Sequence, residues 1–291
     1  MKFSHRRGWM TQDYLVLLLL MLLTFWVARG AWTDMAFRAL RDPENGQAVF
    51  APAVALYLFW LRRSRLQFVR YRPSLIGPLV IALGATASWW GIERDVLFVW
   101  HGGAVAMLIG CMVTMAGTEV LRQFLPAVLC LFFLIPTPGS IRIALAAPLQ
   151  DFATTVTISI LDMTHVLATQ KGSVILMGEE QVPVAIGEAC NGMRMVFALI
   201  LVVYGFVFSM PFRFGTRLLL FMLTPLIALS CNVFRLVVTS FAYTVFTPDQ
   251  ADGFHWFGGM IMLPLALLIL FLTVRLLRWL DIPTMRWRLA A

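Results

Sequence analysis

RLLLFMLTPLIALSCNVFRLVVTSF occupies residues 217–241, and its reading decides the fold. Between Arg217 and Arg235 no residue is charged. Such a run matches the ~20 apolar residues that a helix needs to cross ~30 Å of hydrocarbon. Similar runs recur along the chain, roughly at 13–32, 47–61, 74–92, 96–116, 124–141, 192–211 and 254–279. Together they predict an all-α polytopic membrane protein of about eight spans. Composition agrees: 60% of the 291 residues are hydrophobic and only 13% are charged, where a soluble domain carries about a quarter. The alternating ten-residue segments of a β-barrel are absent. No cleavage site follows the first run, where Trp26-Val-Ala-Arg-Gly-Ala-Trp32 gives a retained helix instead of a removed leader.

Charge gives the orientation. Lys and Arg concentrate in loops on the cytoplasmic side. The loop 62–72 holds Arg62, Arg63, Arg65, Arg70 and Arg72, and it fixes that side. An even number of spans then puts both termini inside, with fifteen of the 23 basic residues. The net charge of +8 therefore reads as an orientation signal spread over membrane edges, and no nucleic-acid groove is expected. The lipid bilayer is the expected partner.

The chain reads as one integral domain, 1–291. Its long non-spanning stretch, 142–190, falls outside. An amphipathic helix is expected from Ile143 to about Ala168. A small hairpin follows, with 173–177 and 181–186 flanking Gly178-Glu179-Glu180. Pro136 and Pro138 end the fifth span.

Chemistry concentrates at the outer ends of the last three spans. Cys190 sits in Glu188-Ala-Cys190-Asn191-Gly-Met-Arg194, where a polar segment becomes an apolar run. Of four cysteines, Cys111 and Cys130 fall in mid-span and Cys231 lies a turn deeper than Arg235. Only Cys190 reaches the outer aqueous edge. There a thiol can be activated by a helix N-terminus and by a neighbouring cation or base. Arg235 interrupts an apolar run, at a cost that usually marks function. His255 opens the eighth span at the same depth. His101 and His165 are also outside in this topology and are alternative bases. Arg194 shares a helix face with Cys190, as activator or as partner of Glu188. Each residue also has a plainer reading: a buried small hydrophobe, a snorkelling arginine, an interfacial histidine. No ligand spacing for a metal and no phosphate loop is present, so no cofactor is expected.

The blocks Glu188-Ala-Cys190-Asn191-Gly-Met-Arg194, Asn232-Val-Phe-Arg235 and Gly253-Phe-His255 together resemble the exosortase/archaeosortase family. The resemblance extends over about 130–260, with Asn191 where serine is common. It implies a membrane cysteine transpeptidase with a Cys190–Arg235–His255 site, supported by Arg194, Asn232, Glu188 and Asn191. It also implies substrates that are membrane-anchored exported proteins ending in a sorting signal: a short motif, a helix and a basic tail. The expected location is the cytoplasmic (inner) membrane, with the site on its outer face and 142–190 as its roof. A hydrolysis-only protease shares this chemistry. A transporter or assembly factor using Arg235 to bind an anion is the alternative of another class.

Overall fold

The computed structural model describes residues 10–68, 71, 73–172, 174–177, 182–184 and 193–280. Of these described residues about 85% are helical. Contacts divide the chain into two compact units, Met1–Pro138 and Gly139–Ala291.

In the first unit, α1 (Thr11–Val27) and α2 (Arg29–Arg41) meet at Ala28 with a bend of 73°. The bend has a sequence cause. Arg29, Asp34, Arg38 and Arg41 make α2 too polar to continue through hydrocarbon, while Ala31 and Met35 keep one buried stripe. A short 3-10 turn leads to α3 (Ala51–Leu61), followed by α4 (Ile76–Glu93), α5 (Leu97–Ala116) and α6 (Thr118–Cys130). Beyond Cys130 a 3-10 turn runs to Leu134, and 136–138, with its two prolines and no regular structure, ends the unit.

Helices α4 and α5 form a hairpin whose backbones touch. A Cβ on Gly84 would lie 2.7 Å from the Gly103 carbonyl oxygen, and one on Gly103 would lie 2.4 Å from that of Gly84. Gly77, Gly84 and Gly91 recur every seven residues, so one stripe of α4 is bare of side chains. Helices in lipid gain little from the hydrophobic effect, and close backbone approach over small residues replaces it. Ala104 and Met107 of α5 also pack with Ala28, Ala31 and Met35 of the α1–α2 segment.

The second unit contains α7 (Gly139–Met163), β1 (Ala168–Lys171), β2 (Val174–Met177), β3 (Val182–Val184), α8 (Met193–Ser209), α9 (Phe214–Val245) and α10 (Pro248–Trp279). The expected hairpin is present as β2 and β3, antiparallel with Met177 opposite Val182 and Ile175 opposite Val184. Pro183 is accommodated because β3 is an edge strand. The sheet also has a strand that the sequence reading lacks. β1 pairs with β2, and Gly172 turns between them at φ +63°. Ala168, expected at the end of the helix, is instead the first residue of β1. Helix α7 stops at Met163, and His165 adopts φ +59° in the turn that follows.

Among the described residues, four helices are individually long and apolar enough to cross a membrane: α5, α7, α9 and the Phe257–Trp279 part of α10. The α1–α2 pair would make a fifth if it counts as one broken span. Helix α7 passes this test with the lowest mean hydropathy of the four, 1.3. The sequence reading instead lays it on the outer face as an amphipathic helix. The remaining expected spans are helical but short or mixed in character, as in α3 and α8.

Helices α8, α9 and α10 share one core. Leu199, Val203 and Val207 of α8 meet Leu220, Ala228 and Cys231 of α9 and Met262, Ala266 and Leu270 of α10. The four-residue spacing on α8 and α10 forms the ridges that interlock neighbouring helices.

The α4–α5 contact gives a paired test. Gly103→Ala puts a methyl group into the Gly84 backbone and should cost several kcal/mol. Gly102→Ala, one residue away, meets only the Ile135 side chain at 3.8 Å and should be neutral or slightly stabilising. Thermal unfolding in detergent distinguishes them, and equal midpoints would refute the backbone contact.

Candidate functional site

Arg235 is half-buried on α9, and its surroundings explain how an apolar helix tolerates it. Its Nη2 donates to Asn232 Oδ1 at 2.8 Å, one turn earlier on the same face. Asn232 is itself only 1% exposed, so its amide is held by packing. Opposite lies α10. A Cβ on Gly258 would stand 3.4 Å from Arg235 Cγ, and one on Gly259 would stand 3.6 Å from Nη1. The guanidinium therefore runs across a pair of glycines, whose lack of side chains gives it room.

Position 255 precedes Gly258 and Gly259 by three and four residues. At 3.6 residues per turn it falls on the same stripe of α10, one turn nearer the α9–α10 connection. The hairpin thus stacks Asn232, Arg235 and position 255 in order towards its connecting end. A cavity of about 420 Å³ opens there, lined by Phe246, Gln250, Gly253, Phe254 and Phe257. Phe246 and Phe254 stack across the connection, with centroids 5.0 Å apart. Thr247 begins α10, and its N–H donates to Gln250 Oε1 at 3.4 Å, which fixes the turn.

The α7–sheet layer packs on this same part of α9. Ala153 and Leu161 of α7, Ile175 and Met177 of β2, and Val233 and Leu236 of α9 form one cluster. Val233 and Leu236 bracket Arg235 in sequence, so the layer is fastened at the level of the guanidinium. Gln170 of β1 donates to Asp151 Oδ1 of α7 at 3.1 Å, which ties the sheet to its helix.

Cys190, Glu188 and Asn191 lie outside the described residues, and Arg194 and His255 are placed as backbone positions in α8 and α10. Helix α8 starts at Met193, three residues after Cys190. α8 and α9 run antiparallel through the 210–213 turn. Counting 1.5 Å per residue back along α8 and forward along α9 sets Met193 level with about residue 230.

The other three cysteines are buried. The Cys111 thiol faces the Leu20 carbonyl and Thr24 Oγ1, each at 3.6 Å. The Cys130 thiol donates to the Ala51 carbonyl at 3.6 Å. Cys231 belongs to the α8–α10 core. Of the alternative bases, His101 is fully buried in the first unit. Its Nε2 is 3.0 Å from Asp34 Oδ2, and its ring stacks on Trp100. Arg38 Nε donates to the same carboxylate at 2.6 Å. His165 is exposed, and its backbone N–H donates to the Asp162 carbonyl at 3.0 Å. Sequence reasoning missed the Gly258–Gly259 pair. A doubled glycine one turn after His255 was the available signal.

The chain matches the model of the family described as Transmembrane exosortase over residues 32–272. It belongs to that family. The match covers far more than half of the sequence and includes every position of the proposed site. No curated protein and no solved structure gives a significant match. The family is one of cysteine transpeptidases, and its members are membrane proteins by description. With its apolar helices, this exosortase-family chain is a multi-pass membrane protein of peptidase type.

The Arg235 cradle predicts a size threshold at position 258. Gly258→Ala adds a methyl group at ordinary van der Waals distance from Arg235 and should fold and function. Gly258→Leu cannot share the space and should reduce substrate processing by about 10²-fold, the usual loss when a positioned donor is displaced. Equal activity of the two variants would show that Arg235 does not need this gap.

Proposed function

We propose that this chain processes exported proteins at a C-terminal sorting signal, with Cys190, Arg235 and His255 as its catalytic residues. The observation that carries the proposal is the seat of Arg235. A guanidinium is oriented by Asn232 and given clearance by two glycines, one turn from position 255. An arginine serving only to snorkel needs no such cradle.

In this reading the Cys190 thiolate attacks the carbonyl carbon of the scissile peptide. Arg235 donates to the oxyanion of the tetrahedral intermediate. His255 takes the thiol proton and returns it to the leaving amine. An acyl-thioester on Cys190 remains, and an acceptor nucleophile releases it. Asn232 orients Arg235, while Arg194, Glu188 and Asn191 support Cys190.

The proposed topology has eight spans, with both termini in the cytoplasm and α7 lying along the outer face. Helix lengths support it. From Arg217 to Arg235 along α9 is about 27 Å, and from Arg275 to His255 along α10 is about 30 Å. Each matches the ~30 Å hydrocarbon thickness. With Arg217 and Arg275 at the inner edge, Arg235 and His255 reach the outer one. A signal whose motif adjoins a membrane helix presents its scissile bond at that depth. The layer of α7 and the sheet forms the roof, and the Phe246–Phe257 cavity offers apolar walls for the motif. The proposed compartment is the cytoplasmic (inner) membrane.

The test is co-production with an exported protein from the same genome that ends in a short motif, a helix and a basic tail. Cys190→Ala and Arg235→Ala should each leave the precursor uncleaved, with losses of at least about 10²-fold. His255→Ala should lose about 10²–10⁴-fold. Normal processing by Cys190→Ala together with Arg235→Ala would refute the proposal. The mass of the product's new C-terminus separates transfer from hydrolysis: an adduct marks transfer, and a free carboxylate marks hydrolysis.

Thiol labelling tests the orientation. An impermeant maleimide added to intact spheroplasts should label Cys190 and leave buried Cys111, Cys130 and Cys231 unmodified. A silent Cys190 that reacts only after lysis would reverse the assigned face.

A further inference from the structure

The sheet of the second unit has two edges, and they differ in what their backbones offer. Its order is β1-β2-β3, so β1 and β3 are the outer strands. In an antiparallel ladder, pairs that exchange both N–H···O bonds alternate with pairs whose groups point away from each other. Pro183 fixes that alternation. It stands opposite Leu176 and has no N–H to give, so its pair is one that points away. Leu176 then directs its own N–H and C=O towards Thr169, its partner on β1. The turn agrees. Two residues, 172 and 173, separate Lys171 from Val174, and Gly172 has the positive φ of a tight hairpin closed by a bonded pair.

The character of each free edge follows. On β3 the outward residue is Pro183, which presents a carbonyl and no donor, a common way of blunting an edge. On β1 the outward residues are Ala168 and Gln170, each with an N–H and a C=O. Among the described residues, no hydrogen bond outside the ladder involves the backbone of either. Helix α7 leaves this edge clear. The Gln170 side chain reaches Asp151 of α7, and its cross-strand partner Ile175 packs with Ala153 and Leu161 of the same helix. Side chains leave a sheet at right angles to its hydrogen bonds, so α7 covers a face of the sheet and not the side of β1. Thr169, Gln170 and Lys171 are exposed.

We infer that the β1 edge binds the extended stretch of the exported protein that leads into its sorting motif, adding it to the sheet as a fourth strand. This rests on the proposed function. The pairing supplies about four backbone hydrogen bonds, shared between Ala168 and Gln170. An added strand lies two strand spacings, about 10 Å, from β2. β2 rests on Val233 and Leu236, which bracket Arg235. About three extended residues cover such a distance, so a chain paired with β1 continues within reach of the proposed site. Backbone pairing selects conformation before side chains, which suits a segment that is held straight ahead of the bond to be attacked.

The test uses the full chain in detergent with a purified precursor from the same genome that ends in a sorting signal. Ala168→Pro and Gln170→Pro each delete one outward N–H, in a sheet that already accepts proline at an outward position of β3. Each should lower kcat/KM for the precursor about tenfold, mostly by raising KM. Gln170→Ala restores the N–H and should process about fivefold faster than Gln170→Pro. Hydrogen exchange of the Cys190→Ala chain reads binding without chemistry, and the precursor should slow exchange across 168–171 about tenfold. Processing that needs Cys190 but tolerates both prolines, with 168–171 unprotected, would overturn the inference and leave the proposed function standing. Slow proline variants with 168–171 unprotected would also overturn it, because the variants would then act through the fold. Protection present without precursor and lost on dilution would assign the edge to a second copy and overturn it too. A precursor that protects 168–171 but is never cleaved by the unaltered chain would support the docking edge and remove the proposed chemistry.

Discussion

A permanently charged guanidinium in an apolar helix is the constraint on which the second unit depends. A charge at the middle of a membrane helix costs about 2.5–3.5 kcal/mol on insertion scales. A hydrogen bond to a charged group returns about 1.5–3 kcal/mol. The two are similar in size, and near the outer edge, where the proposed topology puts Arg235, the cost is smaller, so a fixed acceptor and space for the long side chain suffice to offset it. Asn232 supplies the acceptor, and Gly258 with Gly259 supplies the space. Neither feature improves helix stability on its own account, since asparagine and glycine are both weak helix formers. Their presence at this level is what supports the proposed use of the oriented cation.

The rest of the unit keeps that arrangement in register. The interlocked core of α8, α9 and α10 fixes the three helices along their length. Thr247 and Gln250 hold the connection that brings α10 back along α9. The sheet and α7 add a third layer, fastened to α9 through Val233 and Leu236. Packing and the proposed chemistry thus share one contact between the two longest helices.

Most of the helices were legible in the sequence because apolar length is a strong signal. All eight expected runs are largely helical, and 174–177 pairs with 182–184 where apolar residues flank Gly178-Glu179-Glu180 in the sequence. What escaped has physical reasons. β1 reads Ala-Thr-Gln-Lys, and as a mostly exposed edge strand it carries no apolar pattern. The break at Ala28 follows from charges on α2 that a hydropathy average blurs. Helix α7 has three ionisable residues, Arg142, Asp151 and Asp162, in an otherwise apolar stretch, and that mixture fits a surface helix as well as a span. His101 illustrates a different limit. Its sequence position suggests an available base, but only the fold shows the ring enclosed between Trp100 and Asp34. Arg235 and Asn232 were both named from the sequence, and the structure joins them by a hydrogen bond. The cradle of Arg235 was not legible, because the glycines matter only once α10 is folded back on α9.

The central claim is that Cys190 carries the acyl group while Arg235 and position 255 stand beside it. The most direct measurement is the mass of the purified enzyme quenched in acid during turnover of a sorting-signal substrate. The account predicts a covalent adduct equal to the acyl portion of the substrate, confined to the peptide containing Cys190 and released by hydroxylamine. An adduct on another residue, or turnover by Cys190→Ala at the normal rate, would contradict it.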